Sequence, residues 1–123
     1  MNCLLGSPER VKKIFAMFEG DTKAGIVCPE TSNVMGPIAS HWLRNTAEGR
    51  KLLNRMGIPY SGGFFSYPIG SFFWAKTEAL RPVFDMKLKY EDFPQEAGQI
   101  DGTVAHALER AVAFVCKHKG YNL

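Results

Sequence analysis

The chain has 123 residues, 46% of them hydrophobic and 22% charged, with a formal net charge of +3. These are the proportions of an ordinary globular protein and exclude an intrinsically disordered one. The length allows one domain, which buries roughly two-thirds of its unfolded surface.

The charge is unevenly spread. Residues 1–55 carry eight Lys or Arg against five Asp or Glu, whereas residues 77–101 carry three against six. A nucleic-acid binder has a denser basic stripe and no acidic lobe, so that class is disfavoured. Cys3, Cys28 and Cys116 are odd in number and form no Cys-x-x-Cys pair. Neither a disulfide framework nor a zinc site is indicated, and a reducing cytoplasm is the simplest location. The apolar run Cys3-Leu4-Leu5, followed by Gly6-Ser7-Pro8, is too short for a signal peptide. No apolar stretch has the length of a membrane span, so membrane contact is expected to be peripheral, through a partner, at the inner face.

Ser7-Pro8-Glu9 predicts a helix start: Ser caps, Pro occupies the first turn, and Glu complements the positive end of the dipole. Val11, Ile14, Phe15 and Phe18 then form one apolar stripe, and Gly20 ends the helix. Ala24 to Cys28 reads as a short buried strand stopped by Pro29. Residues 29–45, with Pro29, Asn33, Gly36, Pro37 and Asn45, read as an irregular connection. A second helix starts at Thr46-Ala47-Glu48, buries Leu52, Leu53 and Met56, and stops at Gly57 and Pro59. After the Ser61-Gly62-Gly63 turn, Phe64 to Lys76 is strand-like but interrupted by Pro68 and Gly70. Thr77-Glu78 opens a short helix that ends near Pro82. Asp85 to Ile100 is a loop long enough to be functional. The last helix runs from about Gly102 to His118 on a core stripe of Leu108, Val112 and Val115. Together these elements predict a compact α/β domain spanning residues 1–123, a small sheet flanked by about four helices.

Chemistry-bearing residues concentrate between Ile69 and Arg110. Asp101 stands where the last helix begins, and two roles compete for it. One is an N-cap accepting from the Thr103 or Val104 amide. The other is a general base that the helix dipole keeps ionised. His106 and Arg110 are four residues apart and share a helix face, with Glu109 turned about 100° away from Arg110. Arg110 suits either a diphosphate or a salt bridge to Glu91, Asp92 or Glu96. His106 suits a half-buried, hydrogen-bonded role or a proton carrier. Glu91, Asp92 and Glu96 interleave with Tyr90, Phe93 and Pro94. Carboxylates beside aromatics are how proteins grip sugars, with acceptors for hydroxyl groups and a flat face for the ring. Alternation puts Phe72 and Trp74 on one face of the aromatic strand and Phe73 on the other. No phosphate-binding glycine loop, zinc-protease motif, nucleophile elbow or Asp-x-Asp metal motif is present.

The segment FFSYPIGSFFWAKTEALRPVFD, followed by DFPQE and DGTVAHALER, resembles the C-terminal region of the rhamnan synthesis protein F family. GSPERVKKIFAMFEGDTKAGIVCP is similar to that family's upstream helix-then-strand segment, so the resemblance covers nearly the whole chain. The family is bacterial and is implicated in rhamnose-containing cell-surface polysaccharides. More loosely, an aromatic Gly-Ser strand, a short helix and an acidic residue at a helix start resemble the second half of GT-A glycosyltransferases.

That resemblance implies a fold like the C-terminal half of a GT-A domain and rhamnosyl transfer from a dTDP-activated donor to a glycan acceptor. Asp101 would be the base, with His106 and Arg110 as its electrostatic neighbours. Gly70, Ser71 and Trp74 would lie near the acceptor, with Glu91, Asp92 and Glu96 binding hydroxyl groups. Mn²⁺ or Mg²⁺ is implied by the resemblance alone, since no Asp-x-Asp is there to hold it. A full GT-A domain also needs a nucleotide-binding half of parallel strands. The chain is accordingly expected to be a fragment or short relative of a larger domain. An open sheet edge would then invite a second copy or a partner subunit. The other reading, from a different class, is a non-catalytic carbohydrate-binding or assembly module.

Overall fold

The computed structural model of the chain describes residues 2–29 and 40–123. Helix α1 (Asn2–Leu5) is a single turn that the sequence pattern did not signal. Helix α2 (Pro8–Gly20) starts as its composition dictates. Ser7 is extended, its hydroxyl accepts from the Arg10 amide, and Pro8 fills the first turn where an N–H would have no partner. Only Ile14 of its apolar stripe is buried, while Val11 and Phe18 are half-buried and Phe15 is exposed. Phe15 meets the edge of Trp74 instead of entering the core.

Strand β1 (Ile26–Val27) pairs antiparallel with β2 (Trp74–Ala75), with Ile26 opposite Ala75 and Val27 opposite Trp74. On the other side of β1, Ala24 bridges Asn122 in parallel. The Asn122 carbonyl accepts from the Gly25 and Ile26 amides, and the Asn122 amide donates to Lys23. The tail after the last helix thus becomes a third rung of the sheet.

The long strand expected from Phe64 to Lys76 does not form. Pro68 offers no N–H, and the chain turns at Ile69–Ser71 with Gly70 at φ 76° and Ser71 at φ 56°, so that only Trp74 and Ala75 pair as a strand. The irregular connection expected over residues 29–45 lies mostly outside the described residues, and its end is a tight turn at Leu43–Asn45. Helix α3 (Thr46–Arg55) follows at once, as expected. A tight turn at Thr77–Leu80 leads into α4 (Arg81–Asp85), so Pro82 stands in the first turn of a helix instead of ending one. The loop expected from Asp85 starts after that residue, which ends α4, and residues 86–100 are irregular apart from one turn at Tyr90–Asp92. Helix α5 (Val104–His118) is the spine of the fold. It packs along α3 and touches the turns before α3, before β2 and before α4. The result is a mixed α/β domain, helices around a small antiparallel sheet.

The core joins β1, α3, α5 and the turn before α4 through Ile26, Leu53, Ala79, Val112 and Val115. Leu108, expected in this stripe, is only half-buried. Trp42 lies at its centre with no exposed surface. Its ring centroid is 5.5 Å from Tyr60, 5.2 Å from Phe65 and 5.1 Å from Phe114, and its indole N–H donates to Ser61 at 2.9 Å. Its polar atom is therefore satisfied while the ring fills space. Cys116 is also fully buried, and burial pushes its thiol up to about 11, so it packs as a small hydrophobe. No helix among the described residues is long and apolar enough to cross a membrane.

The Trp42 ring lies against the backbone of α3 at Gly49, where an added Cβ would meet ring carbon Cζ3 at 2.2 Å. Nothing lies within 4 Å of a Cβ built on Gly20. Gly49→Ala should therefore destabilise the protein by about 1–3 kcal/mol through overpacking, although alanine is the better helix former. Gly20→Ala should be neutral or stabilising by up to about 1 kcal/mol. Urea unfolding of the two variants checks this contrast of sign.

Candidate functional site

Helix α5 is capped by Thr103, not by Asp101. The Thr103 hydroxyl accepts from the His106 amide at 3.4 Å and meets His106 Nδ1 at 2.7 Å, which fixes the half-buried imidazole. Freed from capping, Asp101 reaches across to the start of α3. Its Oδ2 accepts from the Arg44 amide at 3.3 Å, and its Oδ1 accepts from Asn45 Nδ2. Asn45 returns the contact, its Oδ1 accepting from the Gly102 amide at 2.9 Å, while its Nδ2 also donates to the Trp42 carbonyl at 2.9 Å. Asn45 has no exposed surface. It is a site residue that sequence reasoning treated only as part of a loop.

Burial alone would raise the Asp101 pKa. Hydrogen bonds from Asn45, Gly102 and Arg44, together with the Arg110 charge, outweigh that and hold it below the usual aspartate range.

Arg110 is 6% exposed and anchors the other side of the site. Its Nε donates to the His41 carbonyl at 3.0 Å and its Nη1 to the His106 carbonyl at 2.9 Å. The guanidinium lies 5.0 Å from the centre of the Tyr67 ring. Its ion pair is with Glu109, at 3.4 Å, and not with Glu91, Asp92 or Glu96 as the charge pattern suggested. A carboxylate one residue away on a helix points elsewhere by geometry, but Glu109 is long enough to bend back. Its second oxygen accepts from the Gly70 amide. Burial raises the Tyr67 pKa; the Arg110 charge opposes that, and Glu109 and Asp101 add to it.

The remaining candidates divide. Gly70 joins the cluster through Glu109, and Ser71 follows it, exposed. Glu91 and Asp92 border a hollow of about 430 Å³ with Phe93, Pro94, Gln99 and Thr103, at the mouth of α5. Asp92 also accepts from the Lys89 amide at 2.7 Å. Glu96 does not line that hollow and accepts from the Gly98 amide within its own loop. Trp74 is turned to the amino-terminal helices, its indole N–H donating to Leu4 at 3.4 Å. Among the described residues no group of three or more His, Cys, Asp or Glu side chains is arranged to hold a metal ion.

Because the folded-state pKa of Asp101 is depressed, its carboxylate stabilises the fold above the unfolded aspartate value, about 3.9, and that contribution is lost as pH falls through the lower folded value. Asp101→Ala should cost about 1–3 kcal/mol at pH 7, because it leaves the Asn45 and Arg44 donors unpaired. The loss should shrink on acidification below pH about 4. Denaturant unfolding of both proteins from pH 7 to 3 measures the convergence.

No solved structure matches the chain significantly. Two curated relatives, the WxcX proteins of two strains of Xanthomonas campestris pv. campestris, are each 37% identical over all 123 residues of this chain. The chain spans only 17% of the length of either. The family model described as rhamnan synthesis protein F matches residues 1–121, nearly end to end. The chain belongs to the rhamnan synthesis protein F family.

Proposed function

We propose that this chain is the acceptor side of a glycosyltransferase-type domain in rhamnose-polysaccharide assembly, with Asp101 as the base. The observation that carries this reading is an ionised carboxylate at the mouth of α5, next to a hollow bordered by Glu91, Asp92 and Phe93. Carboxylate acceptors and an aromatic face suit a sugar ring. In the reaction, Asp101 takes the proton of an acceptor hydroxyl as its oxygen bonds to the anomeric carbon of a dTDP-rhamnose-like donor. The bond to the diphosphate breaks, and the diphosphate leaves with the electron pair. Arg110 favours the ionised base, and His106 stands one helical turn nearer the acceptor end. The donor half belongs to the remainder of a longer protein or to a partner subunit. Such an assembly works in the cytoplasm, at the inner face of the membrane.

One observation favours the second reading, a non-catalytic carbohydrate-binding or assembly module. Both oxygens of the Asp101 carboxylate already serve the framework, one accepting from the Arg44 amide and the other from Asn45 Nδ2, so moving it to serve a substrate would loosen the join of α3 to α5.

Ligand-observed NMR with methyl α-L-rhamnoside and with dTDP-rhamnose tests both readings. The rhamnoside should bind saturably, and Glu91→Gln with Asp92→Asn should weaken it about tenfold, the loss of one or two charge-assisted hydrogen bonds. Absence of rhamnoside binding by the folded chain would overturn the acceptor-side reading and leave only an assembly module that docks on protein. Binding of the rhamnoside with undiminished sugar transfer by Asp101→Asn in the full-length protein would leave only the module.

A further inference from the structure

The outer side of α3 carries a guanidinium that is held in place yet left without a counter-charge. Arg50 lies over the Tyr60 ring at 4.0 Å, and that ring packs against Trp42 with 5.5 Å between centres. Such a stack fixes the plane of the guanidinium and leaves the N–H groups along its edge free to donate. Among the described residues no carboxylate pairs with Arg50, and neither its N–H groups nor the Asn54 side-chain amide meets an acceptor. Arg50 and Asn54 are four residues apart and share one helix face. With Lys51, Ile58, Pro59 and Tyr60 they line a hollow of about 450 Å³. Lys51 gives one of its three donors to Glu48 at 2.7 Å and keeps the others. Among the described residues the hollow therefore offers donors from three side chains and no carboxylate.

We infer that this hollow binds the phosphate group of an organic phosphate ester, with Arg50 as the residue that holds it. The edge of a guanidinium meets two oxygens of an oxyanion at once. A carboxylate is used up by that contact, because it has only two oxygens. A phosphate has a third, and the Lys51 ammonium and the Asn54 amide are the further donors that the hollow provides. Ile58, Pro59 and the Tyr60 ring line the rest and suit the organic part of the ester. A free ester and a phospholipid headgroup both offer this chemistry. The site stands apart from the acceptor-side reading, since none of its residues borders the acidic hollow at the mouth of α5.

The test is a titration of the chain with phenyl phosphate followed by backbone amide NMR, with benzoate as the carboxylate comparison. Phenyl phosphate should bind saturably, shift amides between residues 50 and 60, and bind about tenfold tighter than benzoate. Arg50→Lys keeps the charge and loses the fork, and should weaken binding about tenfold. Arg55→Gln is the control. It removes a charge from the same helix, but Arg55 donates to the Met86 carbonyl and lines a different hollow. Its affinity should stay within about twofold of wild type at physiological salt, which screens exposed charges. Both arginines are exposed, so neither substitution threatens the fold. Absence of saturable binding by wild type overturns the inference. So does benzoate binding as tight as that of phenyl phosphate, wild-type affinity in Arg50→Lys, or an equal loss in Arg55→Gln. Phosphatidylcholine vesicles with and without phosphatidate separate the two sources. Retention on phosphatidate vesicles that Arg50→Lys abolishes supports the site and assigns the phosphate to a lipid. Phenyl phosphate binding without vesicle retention supports the site and assigns it to a free ester.

Discussion

A guanidinium withdrawn from water must be given acceptors, and Arg110 organises the domain by collecting them from separate parts of the chain. It takes a carbonyl from His41, a carbonyl from its own helix at His106, a carboxylate oxygen from Glu109 and the face of the Tyr67 ring. An unpaired buried charge costs several kcal/mol, so each of these segments is held in place by the others. Asp101 contributes to the same field from a distance, and the Asn45 exchange ties it to the start of α3. The polar half of the domain is a closed circuit around α5. The apolar half, around Trp42, lies against the same helix.

This arrangement gives the acidic residues different standing. Asp101 and Glu109 are built into the framework, their oxygens accepting from the Arg44 and Gly70 amides and from the Asn45 and Arg110 side chains. Glu91 and Asp92 border open space and are exposed.

Local chemistry was legible in the sequence where the residues that decide it are neighbours. Ser7-Pro8-Glu9 marked a helix start because a cap acts over three or four residues, and Thr46-Ala47-Glu48 marked another although no side chain caps it. The apolar spacing in α5 marked its buried face. Family membership was legible from the blocks around DFPQE and DGTVAHALER. The Phe64–Lys76 run misled because aromatics favour strands, yet Phe65 packs its ring on Trp42 and Phe114, and Pro68 breaks the ladder. The Arg110 partners were hidden for a different reason. Two of them are backbone carbonyls, which every residue carries, and no side-chain pattern announces them. Asn45 and Asp101 are 56 residues apart, and only the packing of α3 on α5 brings them together.

The tail of the chain is also a part of the sheet. Asn122 supplies the bonds to Lys23, Gly25 and Ile26, and β2 reaches β1 from nearly fifty residues downstream. Every contact that completes β1 therefore joins early sequence to late sequence. Loop-closure entropy has to be overcome before those contacts return anything. The helices α2 and α3 can form early from local contacts, but β1 has no complete set of partners until Asn122 is in place. Until then the edges of β1 stay unpaired, and unpaired strand edges are what make a partly folded chain prone to aggregate.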